Sequence, residues 1–173
     1  MTVSNRNAGR GESTSSLPIE MCSVRVGEML LGLPIRQILE IVGSARPQPV
    51  PLAPGFVGGL IHYRGDVLTT VSLRHLLGMP SSERPQPALV LEGASGCYGV
   101  LVDAVGEVMA VSPQAWEPIP PTLDQSRKQI FTGAYKLHDS LLVIVDPAQL
   151  DPQHLSAADA ACTGGAYARA DCR

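Results

Sequence analysis

Residues 58–78 read GGLIHYRGDVLTTVSLRHLLG, and the fold turns on this stretch. Two runs rich in Leu, Ile, Val and Thr meet at Arg64-Gly65-Asp66. β-branched residues favour strands, and Gly65 can supply the positive φ that a tight hairpin bend demands. The second run passes directly into Leu73–Leu77, read as a short helix. One arginine stands at the bend with no evident chemistry beside it. Arg64-Gly65-Asp66 also spells a cell-adhesion tripeptide, but three letters in a hairpin carry no weight.

The same short β-like pattern continues on both sides. Met21–Val26, Met29–Leu33, Gly55–Tyr63, Val67–Val71, Ala88–Leu91, Tyr98–Val102, Glu107–Val111, Gly133–Leu137 and Leu141–Val145 are Val/Ile/Leu-rich and bounded by glycine or proline. Such spacing reads as a mainly β chain that turns often. Helix is confined to Leu73–Leu77, Pro113–Trp116 and Pro147–Leu150. Residues 1–17, rich in Ser, Asn, Gly and Arg, are expected to be a disordered tail. From Asp151 the chain becomes rich in Ala and Gly, so 151–173 is expected to be a flexible tail with a turn or two of helix at Ala157–Ala161. The ordered domain is then 18–150.

An internal repeat organises these strands. GLPIRQILEIV (32–42) aligns with GVLVDAVGEVM (99–109) at an offset of 67, placing Gly32 on Gly99, Ile38 on Val105 and Glu40 on Glu107. GLIHYRGDVLTTVSLRHL (59–76) aligns with GAYKLHDSLLVIVDPAQL (133–150) at an offset of 74, placing Gly59 on Gly133, Val67 on Leu141 and Val71 on Val145. Two aligned stretches in one order indicate a duplication: two small β-units, closed or half-closed. Units of about sixty residues bury marginal cores, so the two are expected to pack together.

The totals narrow the function. Of 173 residues, 45% are hydrophobic and 17% charged, with a formal charge of −3. Acidity and only 4% aromatic residues oppose a nucleic-acid-binding module. No apolar run reaches the roughly 18 residues of a membrane span, and the first residues lack the hydrophobic stretch of a secretory signal, so a cytoplasmic protein without direct membrane insertion is expected. The cysteines, Cys22, Cys97, Cys162 and Cys172, match no zinc spacing and read as free thiols. No nucleophile–base set, phosphate loop or metal pattern is visible, so no catalytic residue, cofactor or metal is assigned. Ser72, His75 and Asp66 are near in sequence, which does not make a triad.

Taken in order, the motifs resemble the CheW family of chemotaxis coupling proteins. They are Ile38-Leu39-Glu40-Ile41, the Pro51–Gly59 segment, Ile61-His62-Tyr63-Arg64-Gly65 with Val71-Ser72-Leu73-Arg74, Gly99–Val108, and Leu141–Asp146. The resemblance covers about 19–150. It implies two intertwined SH3-like five-stranded β-barrels with short helices and a non-enzymatic role as adaptor. The implied partners are the regulatory domain of the histidine kinase CheA, the cytoplasmic tip of methyl-accepting chemoreceptors, and other CheW-like proteins. It also implies recruitment to membrane receptor clusters, with the receptor hairpin lying against the groove between the barrels. Three positions depart from the family pattern: His62 for Asn, Tyr63 for Leu, and Ser72 for Asp. They point to a divergent copy, serving chemotaxis, twitching motility or another chemosensory system, or acting as a non-activating competitor.

Ile38, Glu40, Gly59 and Arg64 fall on family motif positions and are the interface candidates. Each also has a structural reading. Arg64 could tie its own turn to a nearby carboxylate, Ile38 could be core with Glu40 at a strand end, and Gly59 could let strands cross closely. Asp103 and Asp146 are expected to cap turns.

Overall fold

The computed structural model describes residues 17–120 and 129–163. Its strands are β1 (Ile19–Val26), β2 (Met29–Pro34), β3 (Ile38–Ala45), β4 (Val57–Tyr63), β5 (Asp66–Ser72), β6 (Gln86–Gly93), β7 (Gly96–Leu101), β8 (Ala104–Val111), β9 (Trp116–Glu117), β10 (Phe131–Lys136) and β11 (Leu141–Val145). Helices α1 (Leu73–Leu76) and α2 (Pro152–Thr163) and three short 3-10 turns complete the elements. Two strands are missing from the sequence reading as elements: β3, whose apolar residues fall on both phases of the alternation, and the two-residue β9, where Trp116 was read as the end of a helix and instead follows a 3-10 turn at Pro113–Ala115.

The strands form two sheets, ordered β8-β1-β2-β11-β10-β9 and β3-β6-β7-β5-β4. Each sheet takes one hairpin from the opposite half of the chain: β1–β2 sits among strands of the second half, and β6–β7 among strands of the first. The two SH3-like barrels are therefore intertwined and not merely joined. We call them barrel A (containing β1) and barrel B (containing β6).

The duplication holds register by register. Parallel strands β5 and β7 pair Thr70 with Gly99, and β11 and β2 pair Ile144 with Gly32. These are equivalent positions at the two offsets read from sequence. The bulge between Val57 and Gly59 in β4 recurs between Phe131 and Gly133 in β10. The glycines recur for a steric reason. A Cβ on Gly99 would lie 2.9 Å from Thr70 Cγ2, and one on Gly32 would lie 2.9 Å from Ile144 Cδ1.

Three apolar clusters follow from this weave. Strand β6 is buried on both faces, with Leu89 and Leu91 entering a core shared by the two barrels and Ala88 and Val90 entering barrel B. Leu31, Leu33, Val71 and Val100 belong to the shared core, and Met21, Tyr135, Leu142 and Ile144 fill barrel A. The largest cluster thus lies between the repeats, where neither unit could build it alone.

Beyond residue 150 the structure departs from the expected tail. Asp151 is buried; its Oδ2 accepts from Ala94 N at 2.8 Å and its Oδ1 from Gln153 N at 2.8 Å. This carboxylate starts α2 and fixes it to the β6–β7 turn, and Leu155 packs against the shared core. The alanine-rich composition hid one buried acid and one leucine. Residues 1–16 and 164–173 lie outside the described residues. Cys22 is a buried free thiol and Cys97 an exposed one.

A candidate protein-interaction site on barrel B

Barrel B is closed at its seam by few contacts. Strands β3 and β4 are the edges of its sheet, bridged in the backbone by Gln48 and Leu60. That bridge explains Gly59: with φ +125°, it has no room for a Cβ, which would stand 2.5 Å from Gln48 O. Gly59 is buried backbone at a strand crossing. Ile38 is likewise structural, packing half-buried against the shared core.

The other two interface candidates meet. Arg64 Nη2 donates to Glu40 Oε2, forming an ion pair at the far end of the same seam. Tyr63 Oη also donates to Glu40 Oε2, at 2.7 Å, and the Arg64 guanidinium lies 5.2 Å from the Tyr63 ring centre. The structural reading of Arg64 holds, since it ties the turn to a carboxylate, and its side chain stays 71% exposed. The Tyr63 hydrogen bond is the largest influence holding the Glu40 carboxyl below its usual range, with the Arg64 charge adding to it. The same bond raises the Tyr63 hydroxyl.

The turn itself is tight. Tyr63 pairs with Asp66, and both residues between them are left-handed, Arg64 at φ +50° and Gly65 at φ +95°. This is the type I′ arrangement, in which the first position usually holds Asn, Asp or Gly. Sequence anticipated positive φ at Gly65 only.

Barrel A provides a comparison within the chain. The equivalent of Glu40 is Glu107, whose side chain takes part in none of the ion pairs among the described residues. The equivalents of Tyr63 and Arg64 are Leu137 and His138, and His138 pairs with its neighbour Asp139. The same barrel closes with the same bulge and, among the described residues, no ion pair from β8 to the hairpin turn. The Glu40–Tyr63–Arg64 cluster is therefore not something the fold demands.

Apolar side chains border it. Leu39 and Ile41 adjoin Glu40 along β3 and are 51% and 42% exposed, and Val67, the second residue of β5, is 66% exposed. Sequence reasoning passed over these three in favour of Ile38. The signal was present: four consecutive positions, Ile38-Leu39-Glu40-Ile41, carry three large apolar residues, and an edge strand cannot bury both faces.

Asp103 and Ser72 have structural roles. Asp103 Oδ2 accepts from Gly27 N at 2.7 Å and from Arg74 Nη1 at 2.6 Å, and its Oδ1 accepts from Gln86 Nε2 at 2.9 Å. Beyond the turn cap expected of it, this carboxylate joins the β1–β2 hairpin of barrel A to α1 of barrel B. Asp146 accepts from Ala148 N at 3.0 Å, as a cap should. Ser72 occupies the equivalent place and accepts from His75 N at 3.3 Å. Ser and Asp are interchangeable as caps, so this departure from the family pattern leaves the local structure intact. Among the described residues no group of three or more His, Cys, Asp or Glu is placed to hold a metal ion, and no helix is long and apolar enough to cross a membrane.

Comparison with known proteins agrees with this architecture. The CheW-like domain family matches residues 20–153. The chemotaxis protein CheW of Rhizobium meliloti (strain 1021) is 30% identical over 129 residues, covering 73% of this chain and 83% of that protein. Protein FrzA of Myxococcus xanthus is 31% identical over 88 residues, 50% of this chain and 55% of that one. The scaffolding protein TtCheW of Thermoanaerobacter tengcongensis superposes with a TM-score of 0.70 at 25% identity, covering 79% of this chain and 94% of that chain. With its hairpins exchanged between two barrels and a family match across the whole double-barrel region, the chain belongs to the CheW-like family, the adaptor and scaffold proteins of chemotaxis and related systems.

Proposed function

We propose that this chain is a non-enzymatic adaptor coupling chemoreceptors to the regulatory domain of the histidine kinase CheA, held in the cytoplasm at membrane receptor clusters. We further propose that the Glu40–Tyr63–Arg64 end of barrel B takes the kinase domain. The carrying observation is the asymmetry between the barrels: one copy of the fold has the charged cluster and the other closes without it. A left-handed arginine in an exposed ion pair, with exposed apolar residues on the same two strands β3 and β5 that meet at this cluster's end of the barrel, offers the mix of polar and apolar side chains that docking surfaces use. An array of many such contacts needs each to be modest, because avidity supplies the rest.

The test is a titration of purified kinase regulatory domain with the wild-type chain and with Arg64→Asn. Asn tolerates the left-handed turn but cannot reach Glu40 as a cation. Binding weakened at least tenfold, with melting temperature unchanged, supports this surface. Equal binding by both proteins rejects it.

A further inference from the structure

The two exchanged hairpins end in matching turns. Strands β1 and β2 close at Val26 and Met29, and β6 and β7 at Gly93 and Gly96, with two residues between each pair. The offset of 67 that aligns the halves sets Gly27 on Ala94. A carboxylate holds each of these N–H groups: Gly27 N donates to Asp103 Oδ2 at 2.7 Å, and Ala94 N to Asp151 Oδ2 at 2.8 Å. Both clasps cross between barrels. The first fastens a barrel A turn beside α1, which follows β5; the second fastens a barrel B turn beside the 3-10 turn Pro147–Leu150, which follows β11.

The clasps differ in what else they hold. Asp151 is buried, and its other oxygen accepts from Gln153 N in its own helix. The Asp103 side chain is 25% exposed and gathers two further segments, through Arg74 Nη1 at 2.6 Å and Gln86 Nε2 at 2.9 Å. These two residues bracket the connector between α1 and β6, residues 77–85, which belongs to neither sheet. Arg74 Nε also donates to Pro80 O at 2.7 Å, within the connector. Met79 covers the Gly27 turn, where a Cβ would stand 3.0 Å from its Sδ. Residues 81–86 then form one wall of a cleft of about 530 Å³ on barrel B. At the offset of 74, Ala148 stands where Arg74 does, so the second clasp has no matching cation.

We propose that residues 79–86 are a strap buckled by Asp103, and that the strap and the β1–β2 turn open and close as one unit, separately from the Asp151 clasp. One carboxylate positions three donors from three segments, so losing one donor loosens its hold on the others. An exposed connector outside the sheets is the kind of segment that opens without global unfolding. The wall of the barrel B cleft and the hairpin turn of barrel A therefore move together. The strap belongs to the chain itself, whatever partner the adaptor holds.

Native-state amide exchange of the full chain, read by NMR, tests this. In wild type, Gly27 N and Met79 N, which donates to Arg74 O at 2.8 Å, should show equal protection and equal denaturant dependence. Arg74→Met should speed exchange at both by about tenfold or more, although Arg74 does not touch Gly27 N, and leave Ala94 N unchanged. Arg74→Lys, whose single ammonium cannot serve Pro80 O and Asp103 in the same geometry, should fold as wild type and give a smaller acceleration at the same two amides. Asp151→Asn should do the reverse, speeding Ala94 N alone. Unequal protection of Gly27 and Met79 in wild type overturns the proposal. So does a wild-type rate at Gly27 in both Arg74 variants, or an acceleration that Ala94 shares equally, which marks a general loss of stability.

Discussion

At the scale of single residues, Arg64 shows a side chain and its backbone serving different ends. The left-handed turn would be better filled by asparagine, so Arg64→Asn should hold or raise stability by up to about 1 kcal/mol while removing the cation, a result read by thermal melting. Glu40 can be tested by pH. Its carboxyl is depressed, first by the Tyr63 hydroxyl and then by Arg64. A depressed carboxylate contributes above its unfolded-chain value, and that contribution is lost as pH falls through the folded-state value. Binding through the cluster should therefore fade on acidification below the ordinary carboxylate range. Tyr63→Phe should move the Glu40 titration upward in an NMR pH series; an unmoved titration would mean that the hydrogen bond does not form in solution. Much of this was hidden in the sequence. Glu40 and Arg64 could be picked out by motif, but their contact spans a fold closure no local pattern records. Tyr63, seen only as a departure, proved to be a hydrogen-bond donor to Glu40.

At the scale of elements, the repeat was legible because steric needs recur. Gly32 and Gly99 face a side chain of a parallel neighbour, while Gly59 faces the Gln48 backbone and Gly133 the Trp116 indole and Glu117 carbonyl of a crossing segment, so each offset is marked in the sequence by a pair of glycines. Strand β3 was harder, because one face meets the cores and the other is exposed beside Glu40, which blurs its period. Helix α2 was obscured by alanine, since composition does not reveal that Asp151 would be buried against Ala94. Two expectations follow. Gly59→Ala should cost about 1–3 kcal/mol from backbone strain alone, with the Gln48 clash added, and would be seen as a lowered denaturation midpoint at unchanged slope. Asp103→Ala leaves Gly27 N, Arg74 and the buried Gln86 without their acceptor, and should cost about 2–3 kcal/mol by the same measurement. A neutral result at Asp103 would show that water replaces it freely.

For the molecule as a whole, exchange of hairpins makes two repeats one unit. The shared core holds Leu89 and Leu91 from one half against Leu31 and Leu33 from the other, so the barrels should unfold together. Fluorescence of Trp116, the single tryptophan, in barrel A, and far-UV circular dichroism should give coincident transitions; separated midpoints would mean the barrels are independent. A joined scaffold also makes a rigid spacer, so a partner on one end of barrel B is held in fixed relation to whatever the other surfaces hold. The most direct measurement of the central claim is the affinity of the CheA regulatory domain for wild type and for Arg64→Asn, each protein's melting temperature being recorded alongside. The account predicts at least a tenfold loss, about 1.4 kcal/mol, with no fall in stability; an undiminished affinity would contradict it.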